Sequence, residues 1–223
     1  MTTCLMLHGL GPIPPHIAAV ERPYWISEAA FAFTVAQAKV HAARLTFDDG
    51  NDTDTRIALP KLTDAGLTAA FFIPSDRIGQ PGYVRDEDIR ALHAAGMEIG
   101  SHGCAHLNWL AASDAEIASD VTRSIDRLAQ IINAPVRSVA IPYGRCDRRV
   151  LGVLHRIGIG RVHSSFRGPD SGAAWLVRRD CIMADMGPGE IAAIIAREPD
   201  VATAALNLLR VWRRTGAAAF RAA

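Results

Sequence analysis

Two groups of polar residues in the chain have the types and spacing of a metal site. The adjacent aspartates Asp48 and Asp49 end an apolar run, and the pair His102 and His106 follows further along the sequence. One aspartate and two histidines are a common zinc ligand set, and a catalytic zinc site keeps a further position for water. Two histidines at positions i and i+4 reach one ion from the same side of a helix or tight turn. The second aspartate is then free to act as a base on the bound water, whose pKa the ion lowers.

Each motif also has a simpler explanation when it is taken alone. The Asp-Asp-Gly at residues 48–50 is an ordinary turn signal, because Asp bonds to nearby backbone groups and Gly accepts positive φ angles. Both motifs, however, end predicted strands of a chain that repeats strand and helix. The ends of such strands are where these folds place active sites. Together, the two motifs indicate a metal site.

Short apolar runs alternate with amphipathic stretches along the chain and must position those motifs. We predict strands at residues 4–8, 43–48, 67–73, 97–101, 136–142, 158–163 and 175–183. Helices are predicted at 54–65, 86–95 and 147–157, each followed by a glycine of the kind that ends helices. A fourth helix begins at Ser113, which forms a capping-box pattern with Glu116, and its apolar face is Ile117, Val121, Ile125 and Leu128. This alternation predicts an α/β fold with a mainly parallel sheet, and about seven units favour a closed or nearly closed barrel.

The composition excludes several classes of protein. With 223 residues, of which 49% are hydrophobic, the chain can bury the core of a single domain. Its formal net charge of +1 argues against a nucleic-acid-binding surface, which needs a basic excess. The four cysteines contain no CxxC pair, so neither a disulfide framework nor a thiolate zinc cluster is expected. The N-terminus lacks signal-peptide features and no segment is apolar enough to span a bilayer, so we expect a cytoplasmic protein without an integral membrane segment.

Two segments rich in Gly, Pro or Ser, residues 11–15 and 166–174, are predicted as loops that line a substrate groove. The tail from Leu206 to Ala223 contains four arginines and no acidic residue. We expect this tail to form a solvated terminal helix, and contact with phosphate or with a membrane face is the alternative. The four residues are Arg210, Arg213, Arg214 and Arg221.

Three sequence motifs resemble those of a known family. The runs TFDDG at 46–50, SHGCAH at 101–106 and AIPYG at 140–144 have the order and separations of the first three motifs of the polysaccharide deacetylases. These are the family 4 carbohydrate esterases, with a NodB-like domain. The resemblance covers residues 4–183. It implies a distorted (β/α) barrel and the hydrolysis of N-acetyl groups on sugar polymers with the help of a divalent metal, often zinc.

The resemblance also assigns roles to single residues. Asp48 corresponds to the general base, and Asp49, His102 and His106 correspond to the metal ligands. The backbone N–H of Tyr143 corresponds to the group that, with the metal, holds the tetrahedral oxyanion. Such preorganised donors contribute several kcal/mol in a transition state. Zinc is the expected ion, and cobalt, nickel and manganese are the alternatives.

Two positions depart from the family pattern. The family usually has Ser or Thr after the first histidine to brace the loop, where this chain has Gly103, and Ser101 would replace that brace. Many members also have an arginine that orients the base at the position of Ala140. A subgroup that resembles this chain lacks that arginine too, and an arginine from a later strand, Arg178 or Arg179, would replace it. We prefer Arg179, and a surface salt bridge is the alternative role.

The C-terminal motif of the family, an apolar strand that ends in a histidine, is missing, because no histidine lies beyond His163. Residues 4–9 (CLMLHG) form such a strand at the other end of the chain and resemble a circularly permuted subgroup in which that strand opens the domain. The first and last strands of a closed barrel are neighbours, so permutation preserves the site. His8 is therefore the candidate general acid that protonates the leaving amine, since imidazole titrates near neutral pH. The remaining histidines are expected to be structural or exposed, namely His16, His41, His93, His155 and His163.

We expect residues 1–186 to form the barrel and residues 187–223 to form a C-terminal helical extension that packs on the barrel or trails from it. The predicted function is metal-dependent removal of an acetyl group from an N-acetylated sugar or glycan, which for a cytoplasmic enzyme would be nucleotide- or lipid-linked. Trp109 and Trp175 would stack on sugar rings or belong to the core. The alternatives are a cyclic-imide or allantoin-type amidohydrolase on the same barrel and a non-catalytic glycan-binding relative, suggested by the two departures from the motifs.

Overall fold

Eight short parallel strands form one sheet in the computed structural model, which describes residues 2–168 and 174–197 and, beyond them, Leu209, Arg213 and Thr215. The strands are β1 (Cys4–Leu7), β2 (Arg44–Asp48), β3 (Ala69–Ile73), β4 (Glu98–Ser101), β5 (Ser138–Ala140), β6 (Arg161–His163), β7 (Leu176–Val177) and β8 (Asp180–Cys181). Their order is β7-β6-β5-β4-β3-β2-β1-β8, and each neighbouring pair is parallel. The predicted parallel α/β barrel is confirmed, and the predicted strands from the first to the sixth are found, although most are shorter than expected.

The sheet closes on itself through two residues of the chain. The strands β7 and β8 lie at opposite ends of the strand order, although only Arg178 and Arg179 separate them in sequence. Consecutive Cα atoms are about 3.8 Å apart, so the two edges of the sheet are joined by no more than about 11 Å of chain. The prediction of one strand at 175–183 was wrong, because the chain changes partner there. Val177 pairs with β6, whereas Asp180 pairs with β1.

The α-helices of the described residues are α1 (Glu28–His41), α2 (Leu59–Ala65), α3 (Asp86–Ala94), α4 (Asp114–Ile132), α5 (Arg148–Arg156) and α6 (Pro188–Ile195). The predicted helix 54–65 is found, but its first turn, Asp54–Ala58, is π-helical. It ends at Gly66, whose φ of 68° is left-handed, as predicted. The capping box of α4 is also confirmed, since the Ser113 hydroxyl accepts the N–H of Glu116 at 3.3 Å. The helix α1 was not predicted, because its many alanines hide the helical period of its buried residues.

The alternation of side chains along β2 places the motif aspartate inside the barrel. Phe47 points toward the helices, stacks on Phe71 with ring centroids 4.7 Å apart, and meets the ring of Phe31 from α1 at 5.8 Å. Thr46 and Asp48 alternate with Phe47 and therefore face the barrel interior. Burying such an aromatic side chain contributes about 1.5–3 kcal/mol, so the outward-facing residues hold β2 in the register that turns Asp48 inward.

The roles of two tryptophans and the course of the C-terminal extension were also predicted from the sequence. Trp109 and Trp175 are both buried, at 0% and 2% exposure, so of their two predicted roles the one in the core is confirmed and sugar stacking is excluded. The helix α6 packs on α1 and contributes Ile191 and Ile195 to the core. Beyond residue 197, only Leu209, Arg213 and Thr215 of the predicted extension are described, and Arg210, Arg214 and Arg221 of the basic tail lie outside the described residues. Within the part of the chain that the structure describes, no helix combines the length and apolarity that crossing a bilayer requires.

Candidate metal centre and catalytic cleft

The three predicted metal ligands converge at the carboxyl ends of two strands that β3 separates. Asp49 follows β2, and His102 and His106 follow β4. Their ligand atoms all lie within 4.8 Å of one another, with Asp49 Oδ1 3.3 Å from His106 Nε2 and 3.8 Å from His102 Nε2. Asp49 Oδ1 is buried and accepts no hydrogen bond. One carboxylate oxygen and two imidazole nitrogens directed at one space are a suitable donor set for a divalent ion.

The backbone of β5 fixes the orientation of His102. Its Nδ1 lies 2.9 Å from the carbonyl oxygen of Ala140. A carbonyl oxygen only accepts hydrogen bonds, so Nδ1 carries the proton and Nε2 presents its lone pair toward Asp49. Partners of this kind orient the ligating imidazoles of metal sites. Ala140, where the family often has an arginine, therefore contributes to the site through its backbone.

Strained backbone conformations occur around the cleft. Five non-glycine residues among those described have positive φ, and two of them, Ala42 and Asn133, end helices. The other three are Asp49 with φ 80°, His106 with φ 54° and Tyr143 with φ 58°. Each such conformation costs about 1–3 kcal/mol and persists only where the surrounding structure enforces it. The surrounding structure therefore holds three predicted site residues in backbone conformations that non-glycine residues rarely adopt.

The hydroxyl of Ser101 braces the loop that holds the two histidines. It accepts the N–H of Gly103 at 3.0 Å and donates to the hydroxyl of Ser124 at 2.8 Å. Ser101 and Ser124 are fully buried, so both hydrogen bonds are shielded from water. The expectation that Ser101 replaces the usual brace agrees with this geometry.

A buried carboxylate that sequence reasoning missed, Asp120 of α4, supports the same loop. Its Oδ1 accepts the N–H of Cys104 at 2.9 Å and of Ala105 at 3.3 Å, and its Oδ2 accepts the indole N–H of Trp109 at 2.9 Å. A Cβ atom on Gly103, whose φ is 74°, would lie only 2.3 Å from Asp120 Oδ2. Glycine is therefore required at this position. The available signal was an acidic residue within the apolar stripe of α4.

Arg179, the arginine that we prefer, binds the candidate base. Its Nη1 and Nη2 donate to the two oxygens of Asp48 at 2.7 and 2.8 Å. It also donates to the hydroxyl of Thr46 at 3.1 Å and to the carbonyl of Ser164 at 3.0 Å. Since Arg179 is 1% exposed, the alternative of a surface salt bridge is wrong. Among the described residues, the hydrogen bonds and ion pair from arginine to Asp48 all come from Arg179 and none from Arg178.

The charge on Arg179 keeps Asp48 ionised. Burial alone would raise the pKa of Asp48, but the Arg179 guanidinium, followed by His102, holds it well below its usual range. The pKa of His106 is lowered to about 4, mainly by burial and then by the neighbouring His102. At neutral pH the site therefore contains an ionised Asp48 beside a neutral His106. This is the protonation state that metal binding requires of a histidine.

His8 and Tyr143 complete the predicted set and line the same cleft as the aspartates. His8 lies at the end of β1, where its ring is 4.9 Å from that of Tyr24 and its Nδ1 has no hydrogen-bond partner among the described residues. Burial lowers the pKa of His8, and the charges of Asp49 and Asp48 oppose that shift. Tyr143 is 61% exposed in the turn after β5, and its ring lies 4.5 Å from that of His106.

The cleft above these residues has a volume of about 660 Å³. Arg167 of the predicted loop 166–174 lines it, whereas no residue of the predicted loop 11–15 does. Ile17 and Val20, which lie shortly after that first loop, line the cleft instead. The predicted loop 166–174 is only partly described, because residues 169–173 are outside the described part of the chain. Arg77 was not predicted, since no motif marks the turn after β3; its Nη1 lies 3.2 Å from Asp49 Oδ1.

A family model with the description polysaccharide deacetylase matches residues 36–162 of the chain. The match includes Asp48 and the three candidate ligands, but it begins after His8 and ends before Arg179. A curated relative, YxkH of Bacillus subtilis (strain 168), carries the provisional description of a polysaccharide deacetylase and is 24% identical over 114 residues. That alignment covers 51% of this chain and 41% of the relative, so the chain spans about two-fifths of the relative's length.

Solved structures share the fold over most of the chain. Streptococcus pyogenes deacetylase PplD in complex with acetate has a TM-score of 0.76 and 18% identity, and the alignment covers 89% of this chain and 98% of that one. BC0361, a polysaccharide deacetylase from Bacillus cereus, has a TM-score of 0.76 and 16% identity, with 87% of this chain and 68% of that chain covered. At these identities the likeness establishes the fold alone.

Proposed function

The chain belongs to the polysaccharide deacetylase family, and on that premise we propose that it is a hydrolase that removes the acetyl group from an N-acetylated sugar or glycan with the help of a divalent ion. One observation carries the proposal. An ionised carboxylate, Asp48, is held by Arg179 at the edge of a cleft in which Asp49, His102 and His106 direct their donor atoms at one space.

Asp49, His102 and His106 would hold the ion, and zinc fits this set of one oxygen and two nitrogen donors best, with cobalt, nickel and manganese as alternatives. A divalent ion bound there supplies Lewis acidity, which polarises an acetamide carbonyl and makes water acidic enough for a carboxylate of low pKa to deprotonate. The neutral state of His106 and the fixed tautomer of His102 support binding at neutral pH.

Asp48 acts as the base in this proposal. Arg179 occupies one lone pair on each of its oxygens, and each oxygen keeps a second one that can accept a proton from water. The guanidinium also fixes the plane of the carboxylate, because two parallel N–H···O bonds leave it little rotational freedom. Proton transfer then needs no reorientation of the base.

The backbone N–H of Tyr143 and the imidazole of His8 would serve the two ends of the scissile C–N bond. Tyr143 has a positive φ, and its ring contacts that of His106. Its backbone N–H would donate a hydrogen bond to the oxyanion that develops beside the candidate metal site. His8 lines the same cleft and would donate a proton to the departing amine. Since His8 directly follows β1, which pairs with β8, we propose that the chain belongs to the circularly permuted subgroup.

The two departures that suggested a non-catalytic relative are compensated within this chain. Ser101 and Asp120 brace the loop in which Gly103 replaces the usual hydroxyl residue. Arg179 supplies the guanidinium that Ala140 cannot provide. We therefore favour an active enzyme over a binding protein.

The test is acetate release by the purified protein, reconstituted in turn with zinc, cobalt, nickel and manganese, from N-acetylated sugars and glycans. Elemental analysis should find about one divalent ion per chain, and Asp49→Ala and His106→Ala should abolish both binding and activity. His93→Ala, which removes an exposed histidine on α3, is the matched control and should retain both. Ammonia-free ring opening of a cyclic imide without acetate release would favour the amidohydrolase alternative, and absence of bound ion would reject the proposal.

A further inference from the structure

Two arginines on the rim of the cleft are not used by the proposed chemistry. Arg145 follows the turn that contains Tyr143, and Arg167 lies in the segment after β6. Both side chains line the cleft and both residues are exposed. In the part of the chain that the structure describes, neither forms an ion pair. Two cations on the rim of a substrate cleft therefore have no described internal role.

The segments that carry these arginines are in contact. A Cβ atom on Gly144 would lie 1.8 Å from the hydroxyl oxygen of Ser165 and 2.3 Å from its Cβ. Gly144 has a φ of 63°, so glycine permits both the turn and the close approach. Arg145 is adjacent to Gly144, and Arg167 is two residues beyond Ser165. The fold thus places the two arginines on contacting segments that line one cleft.

The carboxylates that line the cleft already have other partners. Asp48 is bound by Arg179, and Asp49 belongs to the candidate ligand set. Glu21, the remaining lining carboxylate, lies 3.8 Å from Arg77 across the cleft. Among the cleft-lining residues that the structure describes, no carboxylate is left to neutralise the rim arginines. Their charges are available to a ligand that enters the cleft.

We propose that Arg145 and Arg167 form a subsite for a phosphoryl group, so that the substrate is a phosphorylated N-acetylated sugar, which rests on the proposed deacetylase function. Guanidinium groups bind phosphate oxygens with paired hydrogen bonds. Two of them match the two negative charges of a phosphate ester, whereas a carboxylate carries only one. The phosphoryl group can belong to a sugar phosphate, to a sugar nucleotide or to a lipid-linked sugar.

Binding tests this subsite without hydrolysis. Isothermal titration of the purified protein compares glucose 1-phosphate with glucose and with glucuronate, which lack an acetamide. We expect glucose 1-phosphate to bind most tightly, and Arg145→Gln/Arg167→Gln to weaken it roughly tenfold, while Arg85→Gln changes it by less than about twofold. Arg85 is the control because its side chain is 70% exposed and it does not line the cleft. Equal binding to the double variant, or tighter binding of glucuronate, would overturn the inference.

Treatment with a chelator distinguishes phosphate binding by the two arginines from phosphate binding by a bound ion. If phosphate affinity disappears when the ion is removed and is unaffected by the double variant, the ion holds the ligand and the inference is wrong.

The kinetic test compares N-acetylglucosamine 1-phosphate with N-acetylglucosamine as substrates. We expect the double variant to raise KM for the phosphorylated sugar roughly tenfold with kcat nearly unchanged. Retained, arginine-dependent phosphate binding without acetate release from any sugar would reject the proposed function and leave the subsite in place. A larger second ligand, a sugar nucleotide or a lipid-linked sugar, then identifies the carrier by its affinity.

Discussion

Replacing Arg179 by methionine is expected to destabilise the fold in a way that depends on pH. The substitution removes the hydrogen bonds of 2.7 and 2.8 Å to Asp48 and those to Thr46 and Ser164, and it leaves Asp48 buried without its countercharge. Removing one partner of a buried ion pair costs about 3–5 kcal/mol. Domains of this size are typically stable by about 5–15 kcal/mol, so the variant should still fold. Urea unfolding at pH 7 should show the loss as a lower midpoint.

The sign of the pH dependence follows from Asp48. In the wild type, burial raises the pKa of Asp48 but Arg179 holds it well below the usual value of 3.8. This stabilisation is present above about pH 4 and is lost as the pH falls toward the folded-state pKa. In Arg179→Met, the largest opposing charge is gone and only neighbouring histidines oppose burial, so the pKa of Asp48 rises and the variant loses stability as the pH rises above about 4. The difference between the two proteins should therefore be largest near neutral pH and shrink in acid.

Two controls make the prediction specific. Asp48→Asn/Arg179→Met removes both charges and should be more stable than Arg179→Met alone, because no unpaired charge remains buried. Arg178→Met removes the adjacent arginine, which does not bind Asp48, and should cost less. A loss of the same size at Arg178, or a difference that stays constant between pH 3 and 7, would refute the assignment of the effect to the Asp48 pair.

Three further outcomes follow from buried groups near the cleft. Asp120→Ala leaves three N–H groups unpaired, two of them buried, and should weaken zinc affinity by about 10–100-fold in a competition titration, with the exposed Asp185→Ala as control; unchanged affinity would show that the loop does not depend on Asp120. The carboxylate of Asp54 is buried without hydrogen bonds, and burial and then its acidic neighbours raise its pKa well above the usual value. Asp54→Asn should therefore match the wild type near pH 4 and exceed its stability at pH 8 by about 1 kcal/mol or more in urea unfolding, whereas a pH-independent difference would contradict that titration. Removing the ion with a chelator should lower the unfolding free energy by about 2.7 kcal/mol when the free ion had been present at 100 times its Kd, a change visible in Tm that His106→Ala should not show.

The local pattern of the sequence was sufficient to predict the parts of the site that lie at strand ends. Along β2, the apolar Phe47 and the polar Asp48 alternate with the period of a strand, so the direction of the aspartate followed from the burial of its neighbour. The candidate ligands Asp49 and His102 directly follow buried strands, and His106 lies in the loop after β4. In a barrel of parallel strands, the carboxyl ends of all strands meet at one face, so residues at those ends are expected to lie close together.

The parts that could not be predicted depend on contacts between distant segments. Residues 175–183 have the composition of one strand, and only the partners of β6 and β1 divide it into two. Asp120 acts on a loop 16 residues away in sequence, and its role depends on how α4 packs against β4. Arg77 lies in a turn without any motif and reaches Asp49 only in the folded chain. In each case the decisive interaction is a tertiary contact, which cannot be predicted from the local sequence.

The two-residue connection between β7 and β8 makes the candidate base Asp48 sensitive to the seam at which the barrel closes. Each of these strands has only two residues, so the seam contains few of the ladder hydrogen bonds that hold the other strands. Arg179 is part of the connection, and its guanidinium reaches Asp48 on the far side of the seam. A local opening at 176–181 that leaves the helices and the rest of the sheet intact would withdraw the countercharge from Asp48. Heat should then inactivate the protein before it melts, because catalytic competence and overall folding have different thresholds.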